Sequence, residues 1–178
     1  MSDTYYVKTF GGLEITNDNV TVNIVELFGK QLVNLLQVLL FHSEKPVQKD
    51  ELIDILWPES KNPSSALKFS IFRLRSELNE IEFFKDKEVI VTTRKGYILN
   101  PNLDWNIDFV ELEKAYNQIN DGSELLDEKE FKTARKIFRL YQGRFYASPS
   151  QLHWILQKQE IFRQMYVKTM MRTSCYLY

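Results

Sequence analysis

The chain has 178 residues, 44% of them apolar and 26% charged, with 23 Lys and Arg against 24 Asp and Glu. That suffices for one large domain or two small ones, since single domains mostly run ~100 to 150 residues. No apolar run approaches the roughly 18 residues of a membrane span, and the start of the chain lacks the basic and apolar regions of a secretory signal. A lone Cys175 with two histidines, His42 and His153, supplies too few ligands for a zinc site. A cytoplasmic protein without membrane contact or bound metal is expected.

A net charge of −1 argues against a nucleic-acid binder only if the charge is evenly spread. Residues 1–103 carry 12 Lys and Arg against 14 Asp and Glu, and residues 104–178 carry 11 against 10, so neither half is basic. Two windows are nevertheless free of acid: 60–76, with Lys61, Lys68, Arg73 and Arg75, and 89–100, with Arg94 and Lys95. Local clustering of this kind, rather than net charge, steers and holds a polyanion, although solvated faces carry such runs too.

In chain order, Tyr5 to Thr9 and Gly12 to Thr16 read as short strands joined at Gly11-Gly12, and Val20 to Glu26 as a further alternating strand. From Lys30 the period becomes helical. Leu32, Leu35, Leu36, Leu39 and Leu40 mark a buried helix to about Ser43. A second, shorter helix fits Lys49 to Trp57, stopped by Pro58. The third starts at Asn62-Pro63, a cap residue followed by proline at the first helical position, and runs to about Asn79.

The third helix carries an apolar stripe of Leu67, Ile71, Leu74 and Leu78. At about 100° per residue its opposite side presents Ser65, Phe69, Phe72 and Ser76, with Lys68 and Arg75 on one edge and Arg73 on the other. Val89 to Thr93 and Tyr97 to Asn100 then form a hairpin tipped by Arg94-Lys95-Gly96. The second and third helices with this hairpin make a candidate helix-turn-helix with a wing. Residues 1–103 are expected to hold a four-stranded N-terminal sheet, three helices and the hairpin.

Pro101 to Trp105 reads as a junction. Beyond it come three helices, Asp108 to Ile119, Glu128 to Tyr141 and Leu152 to Tyr176, broken at Asn120-Asp121-Gly122 and at Gly143 to Ser150. The first buries Phe109, Leu112, Ala115, Tyr116 and Ile119 on one face, and the second Phe131, Ala134, Ile137 and Phe138. Trp154 and Tyr166 on the last helix read as core. The chain contains no Ser/His/Asp, Cys/His or HExxH constellation, no phosphate loop and no GxGxxG. Asp50 and Asp54 share a helical face without a partner opposite. No enzyme activity, catalytic residue or cofactor is assigned.

Four motifs in register carry a family resemblance: Phe10-Gly-Gly-Leu-Glu-Ile15, Val-Gln-Lys-Asp-Glu-Leu-Ile-Asp-Ile-Leu-Trp-Pro over 47–58, Ile-Phe-Arg-Leu-Arg-Ser-Glu-Leu over 71–78, and Gly96-Tyr97. In order and spacing they are similar to the OmpR-type winged helix of the bacterial antibiotic regulatory protein (SARP) class. Leu140-Tyr-Gln-Gly-Arg-Phe145, Trp154 and Tyr166 are similar to the bacterial transcriptional activator domain that follows it there. The resemblance implies an α+β fold: a winged helix-turn-helix over 1–103, then an all-α tetratricopeptide-like helical domain over 104–178 that reads as truncated at Tyr178. Gln48 departs from the family by standing where a Ser or Thr usually caps the second helix, and the third helix has fewer basic residues than many relatives.

The function implied is sequence-specific binding of double-stranded DNA, commonly at direct repeats, by a transcriptional regulator that recruits RNA polymerase and can dimerise through its helical part. The DNA-binding candidates are Lys61, Ser65, Lys68, Phe69, Phe72, Arg73, Arg75, Arg94 and Lys95. Arg73 and Lys68 could reach guanine edges or phosphates, Phe69 or Phe72 a thymine methyl or a sugar edge, and Arg94 the minor groove. Glu59 and Lys61, in the connection between the second and third helices, are candidates for polymerase contact. The rival is a protein-interaction module on the same scaffold, without DNA binding and anchored by Phe69 and Phe72. A small-molecule hydrolase on the C-terminal helices would need a nucleophile and base that the sequence lacks.

Overall fold

The change from alternating to helical patterning near Lys30 is the organising feature of the computed structural model, which describes residues 4–119, 127–147 and 152–176. The order is β1 (Thr4–Lys8), β2 (Glu14–Asn17), β3 (Val20–Asn23), the single turn α1 (Ile24–Leu27), α2 (Lys30–Phe41), α3 (Lys49–Leu56) and α4 (Pro63–Asn79). Then follow β4 (Ile90–Thr92), β5 (Tyr97–Leu99), β6 (Asp104–Ile107), α5 (Asp108–Ile119), α6 (Glu128–Leu140) and α7 (His153–Tyr176). The chain divides into two compact units, one of Ile24–Asp104 with Thr4, the other of Tyr5–Asn23 and Trp105–Tyr178. This differs from a cut at residue 103 alone, because the first strands belong with the last helices. Among the described residues no helix is long and apolar enough to cross a membrane.

In the first unit α2 is buried almost all round, with Leu32, Val33, Leu35, Leu36, Val38, Leu39 and Leu40 in the core. The polar Asn34 and Gln37 are buried with them, so the helix lies at the centre of the unit. α3 turns only Leu52 and Leu56 inward, and the Leu56 carbonyl near its C-terminus accepts from the Gln31 side chain at 3.3 Å. Gln48 supplies no side-chain cap to α3. Asn62 supplies none to α4 either, contrary to expectation, so Pro63 at the first helical position is what marks that start. The α4 stripe of Leu67, Ile71, Leu74 and Leu78 is buried as the 4, 3, 4 spacing requires.

Two strand assignments change. The strand expected from Val20 to Glu26 ends at Asn23, and buried Ile24 opens α1. The fourth strand of the expected N-terminal sheet comes from beyond residue 103: the sheet order is β3-β2-β1-β6, and β6 occupies part of the segment read as a junction. β1 and β2 are antiparallel with Val7 opposite Ile15, both buried. β2 and β3 pair with Thr16 opposite Thr21, whose hydroxyls lie 2.8 Å apart.

The second unit is sewn together where its distant pieces meet. Phe10 bridges Phe145, Gly11 N–H donates to the Arg144 carbonyl at 2.8 Å, and Tyr146 N–H to that of Thr9 at 2.7 Å. Gly11 and Gly143 both have positive φ, and a Cβ on Gly143 would lie 3.1 Å from the Gly11 Cα. The two glycines thus allow two backbones to abut, a role a hairpin turn alone does not demand. Around them Phe10, Phe109, Phe145 and Phe162 form one aromatic cluster with ring centroids 4.8 to 6.1 Å apart. Trp154 meets Phe145 and Tyr146 edge-on, and Tyr166 stacks on Tyr141 at 4.7 Å. α6 opens on a capping box, with Glu130 N–H donating to Asp127 at 2.7 Å and Asp127 N–H to Glu130 at 2.8 Å. The breaker at Asn120-Asp121-Gly122 and positions 148–150 of the next one lie outside the described residues.

Asp108, at the start of α5, pins the N-terminal strand to the helices. Its buried carboxylate accepts the Thr9 hydroxyl, the Thr9 N–H at 2.8 Å and the Phe10 N–H at 3.1 Å. Burial raises its pKa above the usual 3.8, outweighing these bonds, and the Tyr146 phenol is pushed well up by burial and by the Asp108 charge. Asp108→Ala is expected to destabilise the second unit by roughly 2 to 5 kcal/mol, because buried donors lose their acceptor. Asp108→Asn, which keeps an acceptor for the two N–H groups, should be milder. The folded pKa lies above the unfolded one, so the stabilisation tied to the Asp108 proton is full below the unfolded value and lost as pH rises through the folded one. The Tm difference between the native chain and Asp108→Asn, followed from acid to neutral pH, should accordingly move in favour of Asn.

Candidate nucleic-acid interface

The outer side of α4 carries two exposed aromatic side chains. Phe69 is 62% and Phe72 70% exposed, whereas every other phenylalanine among the described residues is buried or half-buried. Ser65, Lys68 and Arg73 are exposed beside them. Arg73 is not free to wander: its guanidinium lies 6.0 Å from the Phe69 ring centroid and 3.4 Å from the Glu77 carboxylate. Positions 69, 73 and 77 repeat every four residues, so ring, guanidinium and carboxylate form a ladder along one edge of the helix. Glu77 was not singled out in the sequence, although its i,i+4 spacing from Arg73 was the available signal.

A depression flanks α4 on each side. One, of about 350 Å³, is lined by Phe69, Ser70 and Arg73 with Gly29 to Leu32 at the start of α2. The other, of about 470 Å³, is lined by Phe72, Arg75, Ser76 and Asn79 with Lys87 to Val89. The helix therefore forms a ridge with a phenylalanine on either shoulder.

Arg75 takes a different course from Arg73. Its Nε and Nη2 both donate to the Ile90 carbonyl, at 3.1 and 2.8 Å, and Nη2 also to the Thr92 hydroxyl at 2.9 Å. This candidate contact residue is engaged with the hairpin and ties α4 to β4. Arg94 and Lys95 stand exposed at the hairpin tip, where the Thr93 hydroxyl accepts the Lys95 and Gly96 N–H groups at 3.2 Å. Glu59 and Lys61 are exposed in the α3–α4 connection.

The hairpin is fastened at its other strand by the start of α3. Val47 and Tyr97 form a two-way backbone bridge, with Val47 N–H donating to Tyr97 at 2.8 Å and Tyr97 N–H to Val47 at 3.0 Å. That approach is possible only because residue 96 has no side chain. Gly96 has φ +148°, and a Cβ there would stand 1.8 Å from the Val47 carbonyl oxygen. Lys49, the first residue of α3, holds its ammonium 6.0 Å over the Tyr97 ring. The Gly96-Tyr97 motif and the Val47 segment, separate in sequence, are thus two sides of one contact.

Helix pair, ridge helix and pinned hairpin over Ile24–Asp104 are the parts of a winged helix, and residues 23–99 match the family described as "Transcriptional regulatory protein, C terminal". Over residues 23–99 the chain is thus similar to that family, and the winged-helix architecture agrees with the match. The description is of transcriptional regulators, and the match begins at Asn23, the end of β3. No curated protein matches the sequence significantly. Among solved structures, the chain is similar to Mycobacterium tuberculosis EmbR in complex with a low affinity phosphopeptide, at 17% identity and a TM-score of 0.66, covering 93% of this chain and 43% of that one. The two share a fold of winged helix followed by helices, and this chain spans less than half the length of EmbR. A second match is the DNA-binding domain of E. coli CadC, at 25% identity and a TM-score of 0.40, covering 53% of this chain and 88% of that one.

Gly96→Ala is expected to destabilise the winged-helix unit by roughly 2 to 4 kcal/mol, through the clash with Val47 and the strained φ. Denaturant unfolding of the two chains measures it. Arg75→Ala should be gentler, about 1 to 2 kcal/mol for lost charge-assisted bonds, and hydrogen exchange should show faster opening confined to the hairpin.

Proposed function

We propose that the chain is a sequence-specific DNA-binding transcriptional regulator of the SARP class, acting by recruitment rather than catalysis. The observation that carries this reading is the α4 ridge: two exposed phenylalanines set among Lys68 and Arg73, on a face that the apolar stripe leaves outward. A double helix offers what such a surface lacks, phosphates for its cations and base edges for its tip. The family match over 23–99 supports the same partner.

In this reading α4 enters the major groove, with Arg73 on a guanine edge and Lys68 on phosphate. Arg94 enters the adjoining minor groove and Lys95 takes its backbone. Lys61 and Ser65 hold phosphates where the chain enters α4, while Glu59 and Lys61 face RNA polymerase. Arg75 acts through the hairpin it holds, as a positioning residue. The helical unit serves as a tetratricopeptide-like activator domain through which protomers pair on direct repeats, in the cytoplasm. A protein-interaction module is less favoured, because a partner covering Phe69 and Phe72 would have to strip water from the neighbouring cations as well.

Titration of specific and scrambled duplexes at several salt concentrations tests the reading. With Arg75 occupied by the hairpin and Arg73 and Arg94 on bases, ~3 neutralised phosphates give a slope of log K on log[salt] of roughly −2.7 per protomer, at ~0.9 each. Lys61→Ala should weaken both duplexes alike and flatten the slope by about 1. Arg73→Ala should cost about 1 to 3 kcal/mol on the specific duplex and relax one base pair, and Arg94→Ala should erase an A·T preference beside it. Equal losses on both duplexes for all three variants would show that these cations only position the protein.

A further inference from the structure

The two phenylalanines on the ridge call for a ligand that is apolar at two points yet lies inside a polyanion. Base edges in the major groove are hydrogen-bonding groups with one exception, the C5-methyl of thymine. Phe69 and Phe72 stand three residues apart, a rise of about 4.5 Å along the helix, which compares with ~3.4 Å between successive nucleotides of one DNA strand. Arg73 lies against the Phe69 ring and is held from behind by Glu77, so the ring and the guanidinium are presented as a fixed pair. Lys68 and Arg73 beside the rings make a surface that is apolar only at two points, which a polyanion with isolated methyl groups matches.

We propose that Phe69 and Phe72 are thymine readers: each ring packs on the C5-methyl of a thymine, the two thymines lying one or two steps apart and next to the base contacted by Arg73. This rests on the DNA-binding reading above and adds to it the identity of the bases. The 178-residue chain would be used to select duplexes from random DNA, and each thymine of the selected site would then be replaced singly by deoxyuridine, which removes the methyl and nothing else.

The native chain should lose affinity about fourfold at each of two positions, equivalent to ~0.8 kcal/mol for one buried carbon. Phe69→Ala should bind the thymine and uracil duplexes alike at one of them, and Phe72→Ala at the other, while both variants keep the base preference that Arg73→Ala removes. Both side chains are exposed, so neither substitution threatens the fold. A selected site at which no uracil replacement weakens the native chain overturns the inference and leaves DNA binding standing, with the rings packed on sugars. Uracil losses that persist undiminished in both variants overturn it too. Failure to select any sequence sinks the DNA-binding reading and this inference together.

Discussion

The missing side chain at Gly96 is the constraint on which the winged-helix unit depends. Because nothing occupies the space beside that backbone, the Val47 carbonyl can bond to Tyr97, and the strand that leaves the exposed hairpin tip is fixed to Val47, two residues before α3. The Arg75 guanidinium fastens the other strand of the hairpin to α4. One hairpin is therefore registered against both helices of the helix-turn-helix. The proposed function, with helix and hairpin in two grooves at once, requires such rigidity, since a loosely held pair of elements would lose affinity to the ordering of each.

Charge in this chain is informative only at short range. The whole molecule is near neutral, yet Lys61, Lys68, Arg73, Arg94 and Lys95 are all exposed in one unit. Two arginines only two positions apart have different fates: about 200° of helical rotation separates them, so that Arg73 lies against Phe69 and Glu77 while Arg75 reaches the hairpin. Glu77 has a double effect. It steadies Arg73 and also opposes the approach of phosphate, which would leave the guanidinium better suited to a base edge than to the backbone.

What was legible in the sequence was local. The stripe from Leu67 to Leu78, the outward phenylalanines and the hairpin tip follow from helical and strand periods a few residues long, and the structure has them as read. What was not legible depended on meetings across the chain. β6 was passed over as a junction because its four residues carry little signal alone and pair with a strand a hundred positions earlier. Gly11 looked like a turn residue, and its approach to Gly143 could not be seen from either motif. Asp108 is legible only as the first residue of a helix, and its acceptance of the Thr9 and Phe10 backbone N–H groups depends on a segment about a hundred positions earlier. The capping box at Asp127 and Glu130 is a local exception, legible from the acid pair three residues apart.

The division of the chain has a bearing on how it is made. Apart from Thr4, the winged-helix unit is the stretch Ile24–Asp104, which runs between the two parts of the other unit in sequence. As the polypeptide emerges from the ribosome, the inserted domain has all its residues once Asp104 is out and can fold at once. The strands made before it must wait, with one side of β1 open until β6 is synthesised and with Thr9 and Phe10 lacking their acceptor until Asp108 follows. An open strand edge is a point of mispairing between nascent chains, so rapid closure by β6 and α5 protects the N-terminus during synthesis.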